Sequence, residues 1–164
     1  MASSSCNPSG LAAGQGAARA PVLAIDYGRK RLGLALSDVL GVIARPLATW
    51  NRTNRRRDLA RLRELVRHHS VRRIVVGLPL HLDGEPSEMS DEASRFAARL
   101  KKEFRLPVDL LDERLTSWEA EREVRRSRRG ALAIDAFAAA VILRDYLARE
   151  RRQAIETPSP GTGS

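Results

Sequence analysis

Residues 22–38, VLAIDYGRKRLGLALSD, set apolar runs of six and seven residues on either side of the four-residue turn GRKR. Both runs are too short for helices and are rich in Leu, Ile and Val, so they read as buried strands. The tight turn between them makes the pair antiparallel. A hairpin that only had to reverse would be served by Asn-Gly. Here a carboxylate, Asp26, stands at the mouth of the turn and cations stand at its tip.

The rest of the chain builds on this hairpin. GVIARPLATW (41–50) reads as a third strand, and Pro46 places part of it at a sheet edge. Residues 55–69 carry Leu59, Leu62, Leu65 and Val66 at helical spacing, with arginines on the other faces. RRIVVGLPL (72–80) is a central strand running into a loop through Gly77 and Pro79. Met89, Ala93, Phe96, Ala97, Leu100 and Phe104 form an amphipathic helical stripe. LPVDLLDE (106–113) is another strand, TSWEAEREVRR (116–126) opens like a helix, and 132–150 is a helix apolar enough to be buried. The expected order is βββαβαβαα. It describes an α/β fold, with a mixed five-stranded sheet and helices on its faces. One domain is expected over 21–152, between flexible tails at 1–20 and 153–164 that are rich in Ser, Gly and Pro.

Three acids sit where acids are costly. Asp26 ends the first strand, Glu113 ends the last, and Asp135 falls in the first turn of the apolar helix. An ionised carboxylate in such surroundings costs several kcal/mol unless it is paired or bound to a cation. Each acid has a plainer reading: Asp26 as a turn cap, Glu113 as a partner of Arg114, and Asp135 as a complement to the helix dipole. Together, without clustered thiols or imidazoles, they suit a hard cation, Mg²⁺ or Mn²⁺. His68, His69 and His81 have no partner at ligand spacing and read as surface residues.

Lys and Arg number 29 against 20 Asp and Glu, a net charge of +9. Such an excess favours a polyanionic partner. Carboxylate-bound metal within a cationic protein points to phosphodiester hydrolysis, with arginines holding the backbone. The densest basic groups are Arg52 with Arg55–Arg57, and Arg122 with Arg125, Arg126, Arg128 and Arg129. Aromatic residues are only 4% of the chain, which argues against binding single strands by base stacking and for reading backbone and shape. One cysteine, Cys6, permits neither a disulfide framework nor a thiolate zinc site within the chain. The longest apolar stretch is too short to span a bilayer. A cytoplasmic protein without membrane contact is expected.

The stretches IDYGRKRLGLALSD, IVVGLPLHLDGE (74–85), DERLTSWEAE (112–121) and IDAFAAAVILRDYL (134–147) occur in this order and spacing. In them the chain resembles the YqgF/RuvX family of Holliday-junction-resolvase-like proteins and pre-16S rRNA nucleases, over residues 22–150. The resemblance implies an RNase H-like fold and puts the family's acidic catalytic and metal-binding positions on Asp26, Glu113 and Asp135. Gly28, Arg29 and Arg31 would lie beside the site as substrate-binding residues, with Arg114, Arg125, Arg126, Arg128 and Arg129. The loop carrying Asp83 and Gly84 would flank it. Where the family often has a lysine just before the last aspartate, this chain reads GALAID.

The implied activity is Mg²⁺-dependent (or Mn²⁺-dependent) hydrolysis of structured nucleic acid, with the 5′ end of pre-16S rRNA favoured over four-way DNA junctions. The protein would be a monomer or a homodimer, and symmetric junction cleavage would call for the dimer. Two other readings stand beside this. The hairpin also resembles the first phosphate loop of actin-like ATP-binding domains, and the acids could be structural parts of a non-catalytic RNA-binding assembly factor.

Overall fold

The computed structural model describes residues 20–79, 87–112 and 131–156. It contains β1 (Val22–Tyr27), β2 (Arg31–Ser37), β3 (Ala44–Asn51), α1 (Arg55–His68), β4 (Arg73–Leu78), α2 (Glu88–Phe104), β5 (Val108–Asp112) and α3 (Ala131–Glu156). The expected helix at 116–126 lies outside the described residues, as do both chain ends beyond 20–156.

One five-stranded sheet has the order β3-β2-β1-β4-β5. β1, β2 and β3 pair antiparallel, and β1, β4 and β5 pair parallel. The mixed sheet is the one expected. β1 lies at its centre, which is why VLAIDY is apolar almost throughout: both faces are covered.

Alternation along the strands sorts their side chains to two sides. Leu23, Ile25, Tyr27, Leu32, Leu34, Ile74 and Val76 pack with Leu59, Leu62 and Leu65 of α1 and with Ala93, Phe96, Ala97 and Leu100 of α2. Val22, Ala24, Ala35, Val75 and Leu111 pack instead with Ala139, Ile142, Leu143, Tyr146 and Leu147, all on α3. The helices therefore cover both faces, with α3 alone on one of them among the described residues.

Local chemistry fixes the ends of these elements. The Asn54 side chain accepts from the Arg57 amide at the start of α1. Ser87 and Ser90 exchange side-chain and backbone bonds at the start of α2. β3 is an edge strand, as Pro46 required, and its register slips so that Ala48 faces Leu34 while Pro46 faces Ala35. Leu47 is the extra residue of a bulge.

Two boundaries differ from expectation. α3 continues to Glu156 rather than ending near 150, because RERRQAIE contains good helix formers and no breaker. It also begins at Ala131, so Asp135 opens the second turn and not the first. Among the described residues no helix is long and apolar enough to cross a membrane.

Candidate active site

Asp26 shares its parity along β1 with Val22 and Ala24, so it belongs to the face covered by α3. Its cross-strand partner is Gly33 on β2, and Gly33 in turn pairs with Thr49 on β3. The three form a row across the antiparallel part of the sheet. α3 crosses directly above this row. A Cβ built on Gly33 would lie 2.0 Å from the carbonyl oxygen of Asp135 and 2.4 Å from its carbonyl carbon. The Ala136 amide donates to Thr49 Oγ1 at 3.1 Å. Glycine at 33 therefore lets the helix backbone sit against the strand, and Thr49 holds it there. Asp26 and Asp135 are brought to the same small region by one shared neighbour.

Arg31 enters the region from two residues before Gly33. Its Nε lies 2.7 Å from Asp135 Oδ2, with the two side chains 39% and 22% exposed. The contact is close, yet its angles are not those of a hydrogen bond. Asp135 Oδ2 is itself buried and has no hydrogen-bond partner among the described residues. A buried carboxylate oxygen without hydrogen bonds is costly to keep, and here the Arg31 cation offsets part of that cost.

The turn between Asp26 and Arg31 is closed by the Gly28 amide donating to the Arg31 carbonyl at 3.0 Å. A Cβ on Gly28 would come within 2.6 Å of that same oxygen, so glycine is needed for the approach. The Gly28 carbonyl accepts from Arg52 Nη1 at 3.0 Å. Arg52 also lies over the Tyr27 ring at 4.7 Å and beside buried Asp58 at 3.6 Å. Gly28 and Arg52 shape the turn.

Arg29 departs from the expectation that it lies beside the acids. Its guanidinium binds Glu88 Oε2 at 3.0 Å and Glu92 Oε1 at 3.2 Å, both on α2, which packs on the opposite face of the sheet. The bond to Glu88, followed by that to Glu92, raises the Arg29 pKa further. Arg29 and Arg31, two residues apart in one turn, engage opposite faces of the sheet, and the acidic first turns of α2 capture Arg29.

The parallel strands β1, β4 and β5 end on the same side of the sheet. Val76 pairs with Ile25 and Gly77 with Leu111, so Gly77 is level with Asp26 and on its face. Gly77 is buried and places no side chain between the ends of β1 and β5. Glu113 follows directly after the last residue of β5, and Glu113, Arg114, Arg125, Arg126, Arg128 and Arg129 lie outside the described residues, as do Asp83 and Gly84. Among the described residues no group of three or more His, Cys, Asp or Glu is placed to hold a metal. Asp26 and Asp135 nevertheless have the donor chemistry for a hard divalent cation: both offer carboxylate oxygens, and Asp135 Oδ2, ion-paired with Arg31, has no hydrogen bond among the described residues. Sequence reasoning missed the structural parts of Gly33 and Thr49. A glycine inside an apolar strand does signal close backbone approach; Thr49 carries no such signal.

A mixed five-stranded sheet in this order, with helices on both faces, is the RNase H-like fold. Over 80% of the chain it superposes on "T. thermophilus RuvC in complex with Holliday junction substrate", with a TM-score of 0.53, 20% identity and 96% of that chain covered. A second Thermus thermophilus RuvC structure gives a TM-score of 0.51 at 18% identity, covering 80% of this chain and 96% of that one. In sequence, residues 20–149 match the family model RuvX, described as Holliday junction resolvase. The chain belongs to the RuvX family. It is 48% identical over 133 residues to a protein of Koribacter versatilis (strain Ellin345), covering 78% of this chain and 86% of that one. It is 44% identical over 131 residues to one of Pseudomonas putida KT2440, covering 77% and 93%. Both relatives bear the name "Putative pre-16S rRNA nuclease".

Proposed function

We propose that this protein is a divalent-metal-dependent nuclease that hydrolyses phosphodiester bonds in structured nucleic acid, with the 5′ end of pre-16S rRNA as its favoured substrate. The observation that carries the reading is that Gly33 pairs with Asp26 across the strands and also carries the backbone of Asp135 against it. Family membership and the names of the relatives support the nucleic-acid substrate, and the latter favour rRNA.

In this reading Asp26 and Asp135, joined by Glu113, would hold Mg²⁺ or Mn²⁺ through carboxylate oxygens. The metal would supply Lewis-acid stabilisation of charge on the phosphate and on the departing oxygen. In the net reaction a water oxygen bonds to phosphorus, one P–O ester bond breaks, and the leaving oxygen gains a proton. The chain's own part is positional. Gly33 and Thr49 set the height of Asp135 above the sheet, Arg31 restrains its carboxylate, and Gly28 keeps the turn tight enough for Arg31 to reach it. Arg31, Arg114, Arg125, Arg126, Arg128 and Arg129 are proposed to contact backbone phosphates, an affinity that falls with salt.

Cleavage of four-way DNA junctions is the second reading, favoured by the description of the family. The two are separated by incubating pre-16S RNA and a four-way DNA junction side by side, with Mg²⁺ and with chelator. The proposal expects the RNA to be cut near its 5′ end only when Mg²⁺ is present. Junction cleavage with intact RNA would transfer the assignment to the second reading, and equal cleavage in chelator would remove the metal.

A further inference from the structure

At the same end of the sheet as Asp26, but on the face covered by α1 and α2, lies a second polar feature. Tyr27 follows Asp26 directly and points to that other face, against Phe96, with ring centroids 5.0 Å apart. Above these rings is a cleft of about 150 Å³ lined by Arg52, Arg55, Arg95 and Arg99, with Asp58 and Glu92. Four arginines thus share a small space with two carboxylates.

Both carboxylates are already engaged. Asp58 lies beside Arg52 and accepts from the Thr53 amide at 3.2 Å, and Glu92 binds Arg29. Arg55, Arg95 and Arg99 have no acidic partner among the described residues. Arg95 and Arg99 stand one helical turn apart on α2, an arrangement of like charges that disfavours the helix. They face Arg55 in the first turn of α1. Three cations without an ion-pair partner among the described residues, beside two carboxylates already paired with other arginines, form a place for an anion. Size narrows the choice. At roughly 30 Å³ per water the cleft holds about five waters, which suits a phosphate group but is well below the roughly 300 Å³ at which small-molecule pockets begin. Guanidinium forks match phosphate oxygens in pairs.

We propose that the α1–α2 cleft binds a backbone phosphate of the nucleic acid, through Arg55, Arg95 and Arg99, a few nucleotides from the bond presented to Asp26 and Asp135. This rests on the nuclease reading for the identity of the ligand, and on the cleft alone for its charge. A strand draped over the end of β1 would touch the carboxylates on one face and the arginines on the other. Arg52, held by Gly28, Asp58 and Tyr27, ties the cleft to the turn beside Arg31.

The test measures binding of a short fluorescein-labelled RNA hairpin by anisotropy across a salt series, in chelator so that no cleavage intervenes. R95A/R99A is compared with K101A/K102A, which removes the same charge from the last turn of α2, outside the cleft lining; thermal melts confirm that both variants are folded. Loss of one phosphate contact should weaken binding roughly tenfold and reduce the log–log salt slope by about 1 in R95A/R99A, while K101A/K102A stays within about twofold of the parent by the same criterion. Equal losses in the two variants, or no loss in R95A/R99A, would overturn the proposal. Cleavage by the unmutated protein in Mg²⁺ is scored separately: no cleavage with a lost salt slope rejects the nuclease and keeps the cleft, and cleavage with an unchanged slope does the reverse.

Discussion

Gly33 is the residue on which the site depends most directly. A methyl group there would collide with the backbone of Asp135, which cannot swing aside as a side-chain tip could. Gly33→Ala should force α3 away from β2, lowering stability by about 1–3 kcal/mol in urea denaturation and abolishing cleavage. An alanine variant with parental stability would mean that the helix does not rest on this strand. A second residue-scale expectation concerns Tyr146, whose hydroxyl donates to Asp109 at 2.6 Å and accepts from Arg73 at 2.8 Å. Burial, and then the bond to Asp109, push its pKa well above the ordinary 10.0. Below that value both folded and unfolded chains keep the proton. Above it the unfolded chain releases the proton first, so this contribution to stability is lost as pH rises past 10. Tyr146→Phe should cost about 1–2 kcal/mol near neutrality and flatten the alkaline decline of the melting temperature. Asp26 and Asp135 were legible in the sequence because carboxylates in apolar runs need a reason. The divergence of Arg29 from Arg31 was not: one turn held both, and only the position of Glu88 and Glu92 on α2 separates them.

Among the elements, α3 departs most from what its sequence suggests. Asp135 begins the second turn, where the helix dipole has largely faded, so dipole compensation does not explain an acid at this position. The support comes from the neighbouring edge strand, through Thr49. Thr49→Val keeps the shape and the β-propensity while removing the acceptor for the Ala136 amide. The expected cost is about 1 kcal/mol, accompanied by a larger proportional fall in kcat than in substrate affinity as Asp135 shifts. An unchanged kcat at reduced stability would make Thr49 structural only. Strand and helix order were readable because the periods of two and 3.6 are clear in this chain. The reach of α3 was hidden by a polar, helix-favouring ending that resembles a tail, and the bulge at Leu47 by the absence of any glycine marking it.

For the whole molecule, sheet topology turns a linear pattern into a place. Three parallel strands end together, and among them β1, the central strand of the whole sheet, carries Asp26 on one face and Tyr27 on the other. Asp26 and Asp135 lie on the α3 side, and Arg55, Arg95 and Arg99 line the α1–α2 side, so the sheet stands between the carboxylates proposed for chemistry and the arginines proposed for the second phosphate. The excess of cations was visible in the composition; their division between two faces depends on pairings that only the fold determines. The central claim is that acids far apart along the chain meet to bind the catalytic metal. Its most direct test is cleavage of pre-16S RNA by Asp26→Asn in saturating Mg²⁺, beside the parent and with melting and RNA binding measured on the same samples. The expected result is a folded variant that binds RNA as the parent does and cuts it at least roughly a hundredfold more slowly, an effect of ~2.7 kcal/mol on the barrier. Parental cleavage rates in that variant would contradict the account.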